Sequence, residues 1–179
     1  NILFDALISE LRRVDVPVAG ADRLRLSKNI AVLDVMALVR FVLLPADDYS
    51  LACILKSPLV PQPLSEEELF DLAHDRGSAS LWARLLRSAS PDCQAACQQL
   101  QDWQQGAELL RPFEFLSAVL VKARKAILSR LGSEAGDALE RLLEAALCQA
   151  ANLSSPSSGL AYWFGPEDAE ITRNRDRGG

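Results

Sequence analysis

The chain has 179 residues, 49% of them hydrophobic and 24% charged, with a formal net charge of -5. Apolar content near the globular average and a low net charge exclude a disordered chain, and only four cysteines in this length exclude a disulfide-stapled miniature scaffold. The acidic balance argues against a broadly basic nucleic-acid module, while a chain of this size removes roughly 70% of its unfolded surface from water, enough for one sizeable core.

Helical spacing dominates the sequence. Leu3, Phe4, Leu7, Ile8 and Leu11 recur at intervals of three and four and mark a first amphipathic helix that ends near Val14. Val16-Pro17-Val18 reads as a short extended segment closed by Gly20. Ser27 is placed to cap a second helix running to about Leu44, where Pro45 stops it. Apolar residues occupy almost every face of this helix, interrupted by Asp34 and Arg40, which predicts a place at the centre of the core. It is too short and too charged to span a bilayer, which needs about 20 predominantly apolar residues. Asp47 or Asp48 opens a short helix through about Lys56, ended by Ser57-Pro58.

Val60-Pro61-Gln62-Pro63 is a stiff connector. In Ser65-Glu66-Glu67-Glu68 the serine caps the next helix and Glu68 reaches back, with acids at the positive helix end. That helix extends to about Asp75 and Gly77 closes it; Ser80 caps another over residues 81–88. Ser90-Pro91 starts a long Gln-rich helix with Leu100, Trp103, Leu109 and Leu110 expected to face inward. Pro112 begins a helix that Gly132 ends, and Leu139, Leu142, Leu143, Ala146 and Leu147 form one more stripe. Residues 152–158 read as a loop, Ser155-Pro156 opens a last short helix to Trp163 or Phe164, and residues 170–177 are polar and extended. The expected fold is mainly α: an irregular bundle of about eight to nine helices with short extended segments at the two ends.

Charge is uneven. Residues 111–130 hold five cations and one acid, whereas residues 131–170 hold seven acids and one base. Lys122, Arg124 and Lys125 are read as a solvated, dipole-compatible helix end, with a phosphate-contacting patch as the sharper alternative.

Catalytic machinery is not apparent. No glycine is followed by lysine, so no Walker-type phosphate loop occurs. His74 is the only histidine and sits at the end of an acidic helix, where a dipole contact is the simpler role. Cys93 and Cys97, four apart, lack the further ligands a zinc site needs. Asp47-Asp48 and the Glu66-Glu67-Glu68 run occupy helix starts, so capping is preferred over paired-carboxylate chemistry. No catalytic, metal or cofactor-binding residue is assigned.

Several segments in order carry a family resemblance: Leu11-Arg12-Arg13, Val16-Pro17-Val18-Ala19-Gly20, Asp34 in the apolar helix, and Leu44-Pro45-Ala46-Asp47-Asp48. Leu55-Lys56-Ser57-Pro58-Leu59, Leu64-Ser65-Glu66-Glu67-Glu68-Leu69, Ser80-Leu81-Trp82, Pro112-Phe113-Glu114-Phe115 and Leu128-Ser129-Arg130-Leu131-Gly132 follow. This order resembles superfamily 1 DNA helicases of the UvrD/Rep type and is most similar to AddA-type subunits of the bacterial AddAB helicase–nucleases that process double-strand breaks. The resemblance covers nearly the whole chain.

The resemblance implies that residues 1–19 end the second RecA-like motor domain, residues 20–169 form the helical accessory subdomain called 2B, and residues 170–179 return toward the motor. A start at Asn1 and an end at Gly178-Gly179 then read as cuts inside a longer chain. It implies a non-catalytic role in this segment, ATP and Mg bound only elsewhere in the parent, DNA and an AddB-type nuclease subunit as partners, and a bacterial cytoplasmic location. The four cysteines, read as buried or helix-borne thiols, and the lack of a signal peptide agree with that compartment. Arg23, Arg25, Lys28 and Lys56 lie near the family's DNA-facing segments and are the candidate phosphate contacts. Two departures stand out. The family's aromatic pair after a Gly-Gly turn is replaced by Gly20-Ala21-Asp22-Arg23-Leu24-Arg25-Leu26, and its Gly-Ile-Gly duplex loop by Leu59-Val60-Pro61-Gln62-Pro63. The missing glycines remove the close backbone approach that phosphate contact uses there. A stand-alone helical protein–protein interaction module is the alternative, and a small enzyme with an unfamiliar site a third.

Overall fold

The computed structural model describes residues 28–74 and 77–152, with side chains as far as Leu147. Regular structure among the described residues is entirely helical: α1 (Ile30–Leu43), α2 (Asp48–Lys56), α3 (Glu66–Ala73), α4 (Leu81–Leu85), α5 (Pro91–Leu109), α6 (Pro112–Leu131) and α7 (Ser133–Asn152). The mainly α expectation holds, and seven of the expected helices fall in this region. The expected helix at residues 3–14, the extended segment at 16–18, the final helix from Ser155-Pro156 and both subdomain boundaries lie outside the described residues.

α1 is the axle. Ala31, Val32, Val35, Met36, Ala37, Leu38, Val39 and Phe41 are all buried. At about 100° per residue these positions encircle the helix, so water is excluded from every side of its middle turns. α2, α5, α6 and α7 pack against it. From α4, Trp82 meets Phe41 edge to face, with ring centroids 5.1 Å apart at 71°. The cap is Asn29 rather than the expected Ser27: Asn29 Oδ1 accepts from the Ala31 amide at 3.0 Å. Asn29 adjoins the first helical residue, the position from which a side chain reaches the second helical N–H.

The two acids after Pro45 have separate tasks. Asp47 caps α2, accepting from the Ser50 amide at 3.1 Å and the Ser50 hydroxyl at 2.6 Å. Asp48 reaches across the fold, and its Oδ1 accepts from the Leu81 amide at 2.7 Å. That amide is the first in α4, whose own cap, Ser80, accepts from Ala83. One carboxylate thus ties together the N-termini of two helices 33 residues apart, and its charge suits both helix dipoles. α4 is shorter than expected. After Leu85 the bonds Arg87 N–Arg84 O and Ser88 N–Leu85 O tighten the chain into i, i+3 turns.

The α2–α3 connection is anchored rather than projecting. Leu59, Val60 and Leu64 are buried, the Leu64 amide donates to Leu55 O at 2.8 Å, and the Ser57 hydroxyl donates to Ile54 O at 2.8 Å. α3 starts with the expected capping box: the Ser65 amide donates to Glu68 Oε2 at 2.7 Å and the Glu68 amide to Ser65 Oγ at 3.2 Å. The backbone and side-chain hydrogen bonds from Ser65 hold the Glu68 carboxyl below its ordinary pKa. α3 ends at Ala73 with His74 as C-cap, its ring stacked on Phe70 at 4.8 Å.

α5 buries Leu100 and Trp103 as expected, but Leu109 is exposed and Leu110 only half-buried. Leu109 lies nine residues beyond Leu100, a rotation of about 180°, so both cannot face one core. Leu147 departs likewise: Ala135, Leu139, Leu142 and Ala146 define the buried line of α7, and Leu147 sits about 100° beyond Ala146. α6 and α7 form a helical hairpin about Gly132, which has φ 82°. Their axes approach closely, for a Cβ on Gly136 would lie 2.8 Å from a Leu128 methyl.

Replacing Asp48 with alanine is expected to lower stability by about 1–2 kcal/mol, since it orphans the first α4 amide. Asp48→Asn, which keeps the acceptor, should recover most of that loss. Urea-unfolding midpoints of the two variants check this.

Candidate nucleic-acid interface

Of the four expected phosphate contacts, Arg23 and Arg25 lie outside the described residues. Lys28 is exposed two residues before α1 begins. Lys56 closes α2, where a cation suits the helix dipole, and its ammonium is paired with the Glu66 carboxylate on α3. A phosphate at Lys56 therefore competes with Glu66. The structure does not bring Lys28 and Lys56 into one recorded site; Lys56 alone lines the cavity described below.

The α6 cations are drawn into the fold. Lys122 pairs with Asp102 of α5 at 3.6 Å, and Arg124 donates to Glu140 of α7 at 2.6 Å. These are cross-links between helices at exposed positions, each worth a few tenths of a kcal/mol up to about 1. They occupy two of the three cations of the suggested phosphate patch, and Lys125 is exposed beside them. The acidic α7 against the basic α6 explains the alternation of charge along the sequence.

Among the described residues, an open recess of about 390 Å³ is walled by α1, α2, α3 and the end of α6. Ile30, Ala52, Pro58, Leu69 and Leu131 give it an apolar lining, and Tyr49 stands at its edge with three-quarters of its surface exposed. Three charged side chains enter it: Asp34, Lys56 and Arg130. Lys56 is neutralised by Glu66. Asp34 accepts no hydrogen bond and makes no ion pair among the described residues. Burial pushes its carboxyl up from an ordinary 3.8 to about 6, and the positive charge of Arg130 partly opposes that.

The sequence marks Asp34 as a carboxylate interrupting an apolar helix but offers no partner for it. Arg130 is 96 positions away, and only the return of α6 to the start of α1 brings both to one cavity. A second recess of about 250 Å³ lies between α3, α4 and the start of α5, lined by Glu68, Asp71, Arg84 and Arg87. Its two acids and two bases balance. Cys93 and Cys97 share one side of α5, and burial followed by the neighbouring Cys93 raises the Cys97 thiol pKa. Among the described residues no group of three or more His, Cys, Asp or Glu is arranged to hold a metal ion. No helix there is long and apolar enough to cross a membrane. No protein-family model matches the chain, and no curated protein matches it.

Asp34 carries a stability signature. Its pKa is higher folded than unfolded, so the native state holds an extra proton between about pH 4 and 6. The penalty for an ionised Asp34 is absent below about pH 4, grows as pH rises through that interval and is complete above it. Asp34→Asn is expected to be more stable than the parent by about 1 kcal/mol at pH 7.5, allowing for solvent screening at a partly exposed site, with the gain vanishing near pH 3.5. Urea denaturation at the two pH values measures it, and an identical difference at both contradicts the assignment.

Proposed function

We propose that the chain is a non-catalytic accessory segment, of the 2B type, from a UvrD/Rep-like superfamily 1 DNA helicase, with AddA-type double-strand-break repair enzymes as the nearest resemblance. In this reading it positions the duplex and the partner nuclease subunit relative to the motor, in the bacterial cytoplasm. ATP and Mg act in other parts of the parent protein.

One observation supports this reading above others. The segments that carry the resemblance coincide with successive corners of one helical unit rather than with scattered surface residues. Asp47 and Asp48 cap α2 and α4, Ser57 closes α2, Ser65 and Glu68 form the box of α3, and Ser80-Leu81-Trp82 opens α4 against Phe41. A signature made of caps and corners specifies a scaffold, which is what a positioning subdomain requires. The buried Leu59 and Val60 further favour a role in which the α2–α3 connection supports the unit instead of gripping phosphate.

The independent interaction module is the second reading, favoured by the exposed apolar side chains of Leu109 and Val121, which are 85% and 82% accessible. The encoding reading frame separates the two. The helicase reading expects a G-x-x-x-x-G-K-[ST] phosphate loop upstream of Asn1 in the same frame; a frame that encodes the helical unit alone contradicts it.

Direct DNA contact is tested on the chain itself. With a forked duplex titrated between 50 and 200 mM salt, engagement of all four candidate cations gives a log–log slope of about -3.6. Simultaneous alanine substitution of Arg23, Arg25, Lys28 and Lys56 should flatten it. A salt-independent or absent signal from the parent chain rules out these contacts.

A further inference from the structure

The recess between α1, α2 and α6 stands out by charge and by shape. Two cations, Lys56 and Arg130, and one carboxylate, Asp34, line it, so cations outnumber acids there in a chain of net charge -5. Arg130 is exposed and closes neither an ion pair nor a hydrogen bond among the described residues. Lys56 is held by Glu66, which is itself exposed, so that pair is of the weak, exchangeable surface kind. An anion entering the recess meets one cation with no partner and a second whose partner is readily displaced. Asp34, half-buried on the α1 side, is the charge that opposes it.

Shape narrows what that anion is. Tyr49, Ala52, Cys53 and Lys56 fall at i, i+3, i+4 and i+7, one face of α2. The Tyr49 ring stands at the recess edge, three-quarters exposed and about 10 Å along the helix axis from Lys56. Ile30, itself exposed, and Leu131 supply an apolar floor. A bare ring face and an apolar floor next to two cations fit a ligand that is flat and apolar in one part and anionic in the next. A nucleotide has that build: its base stacks on the ring while the flanking phosphates reach Arg130 and Lys56. An acidic peptide supplies the charge without the flat face. A duplex keeps its bases stacked on one another and away from the ring.

We infer that this recess seats an unpaired nucleotide of single-stranded DNA, with Tyr49 as the stacking platform and Arg130 and Lys56 as the phosphate contacts. Neither Tyr49 nor Arg130 is among the DNA contacts that the family resemblance suggests. The seat itself is carried by the recess; the choice of DNA over RNA rests on the helicase reading. With Asp34 and Glu66 competing for the cations, the seat guides a strand rather than gripping it.

The probe is fluorescein-labelled (dT)8, with affinity to the full chain read by anisotropy and the tyrosine ring signals followed by NMR. The chain has two tyrosines, so Tyr49→Phe assigns the pair. Binding should shift the Tyr49 signals. Tyr49 and Arg130 are exposed, so substituting either leaves the core intact. Tyr49→Ala should weaken binding by about tenfold, and Tyr49→Phe, which keeps a ring, should retain it. Arg130→Ala should weaken it and reduce the slope of log affinity against log salt by about 0.7. Glu66→Gln, which frees Lys56, and Asp34→Asn, which removes the opposing charge, should each strengthen it. Unchanged affinity in Tyr49→Ala or Arg130→Ala overturns the proposal, as does an abasic octamer that binds as tightly as (dT)8. Tighter binding of a blunt duplex, of (rU)8 or of an oligoglutamate peptide also overturns it, as does the absence of a Tyr49 response at millimolar (dT)8. The helicase reading stands or falls separately, on the upstream reading frame.

Discussion

Burial of the middle turns of α1 is the constraint on which the other elements depend. A helix with Val32, Val35, Leu38, Val39 and Phe41 all out of water needs neighbours on every side, and one layer of helices cannot supply them. The chain meets this with α2 folded back on one flank, the α6–α7 hairpin on another, and α4 and α5 completing the ring. Each neighbour is itself amphipathic and keeps a polar outer face. The cost appears at Asp34, a half-buried carboxylate whose pKa partial burial raises to about 6.

Hydrogen bonds to helix ends keep this arrangement in register. Apolar contact holds the helices together but leaves them free to slide, because dispersion and hydration forces are non-directional. Asp47, Asp48, Ser65, Glu68 and Ser80 fix where α2, α3 and α4 begin. Asp48 is the strongest link in this sense, since it couples two helices through a single carboxylate. The short links at Leu110-Arg111 and Gly132 do the same for α5, α6 and α7 by limiting how far successive helices can diverge.

Much of this was legible because the signals are local. Ser65 with Glu68 three residues later, Asp47 before a polar-to-apolar transition, Pro91 and Pro112 at helix starts, and Gly132 past a helix end each act within one turn. The all-round apolar pattern likewise placed α1 in the core. Errors arose where phase accumulates or partners are remote. Leu109 and Leu147 looked like core residues by type, but their rotation about the helix axis carries them into solvent. Asp48's second helix and the meeting of Asp34 with Arg130 depend on tertiary return over 33 and 96 positions, which no periodicity encodes. The four basic residues proposed from the family resemblance illustrate another limit: Lys56 has a cationic head suited to phosphate, but its ion pair with Glu66 is visible only in three dimensions.

The central claim is that α1 is the element about which all others are stabilised, and native-state hydrogen exchange addresses it most directly. Amides of Val35 through Phe41 should be the slowest in the described region and should open only by global unfolding, matching the free energy from denaturant unfolding. If they exchange by a cheaper local opening while the amides of the α6–α7 hairpin remain protected, the hairpin rather than α1 is the organising element and the account is contradicted.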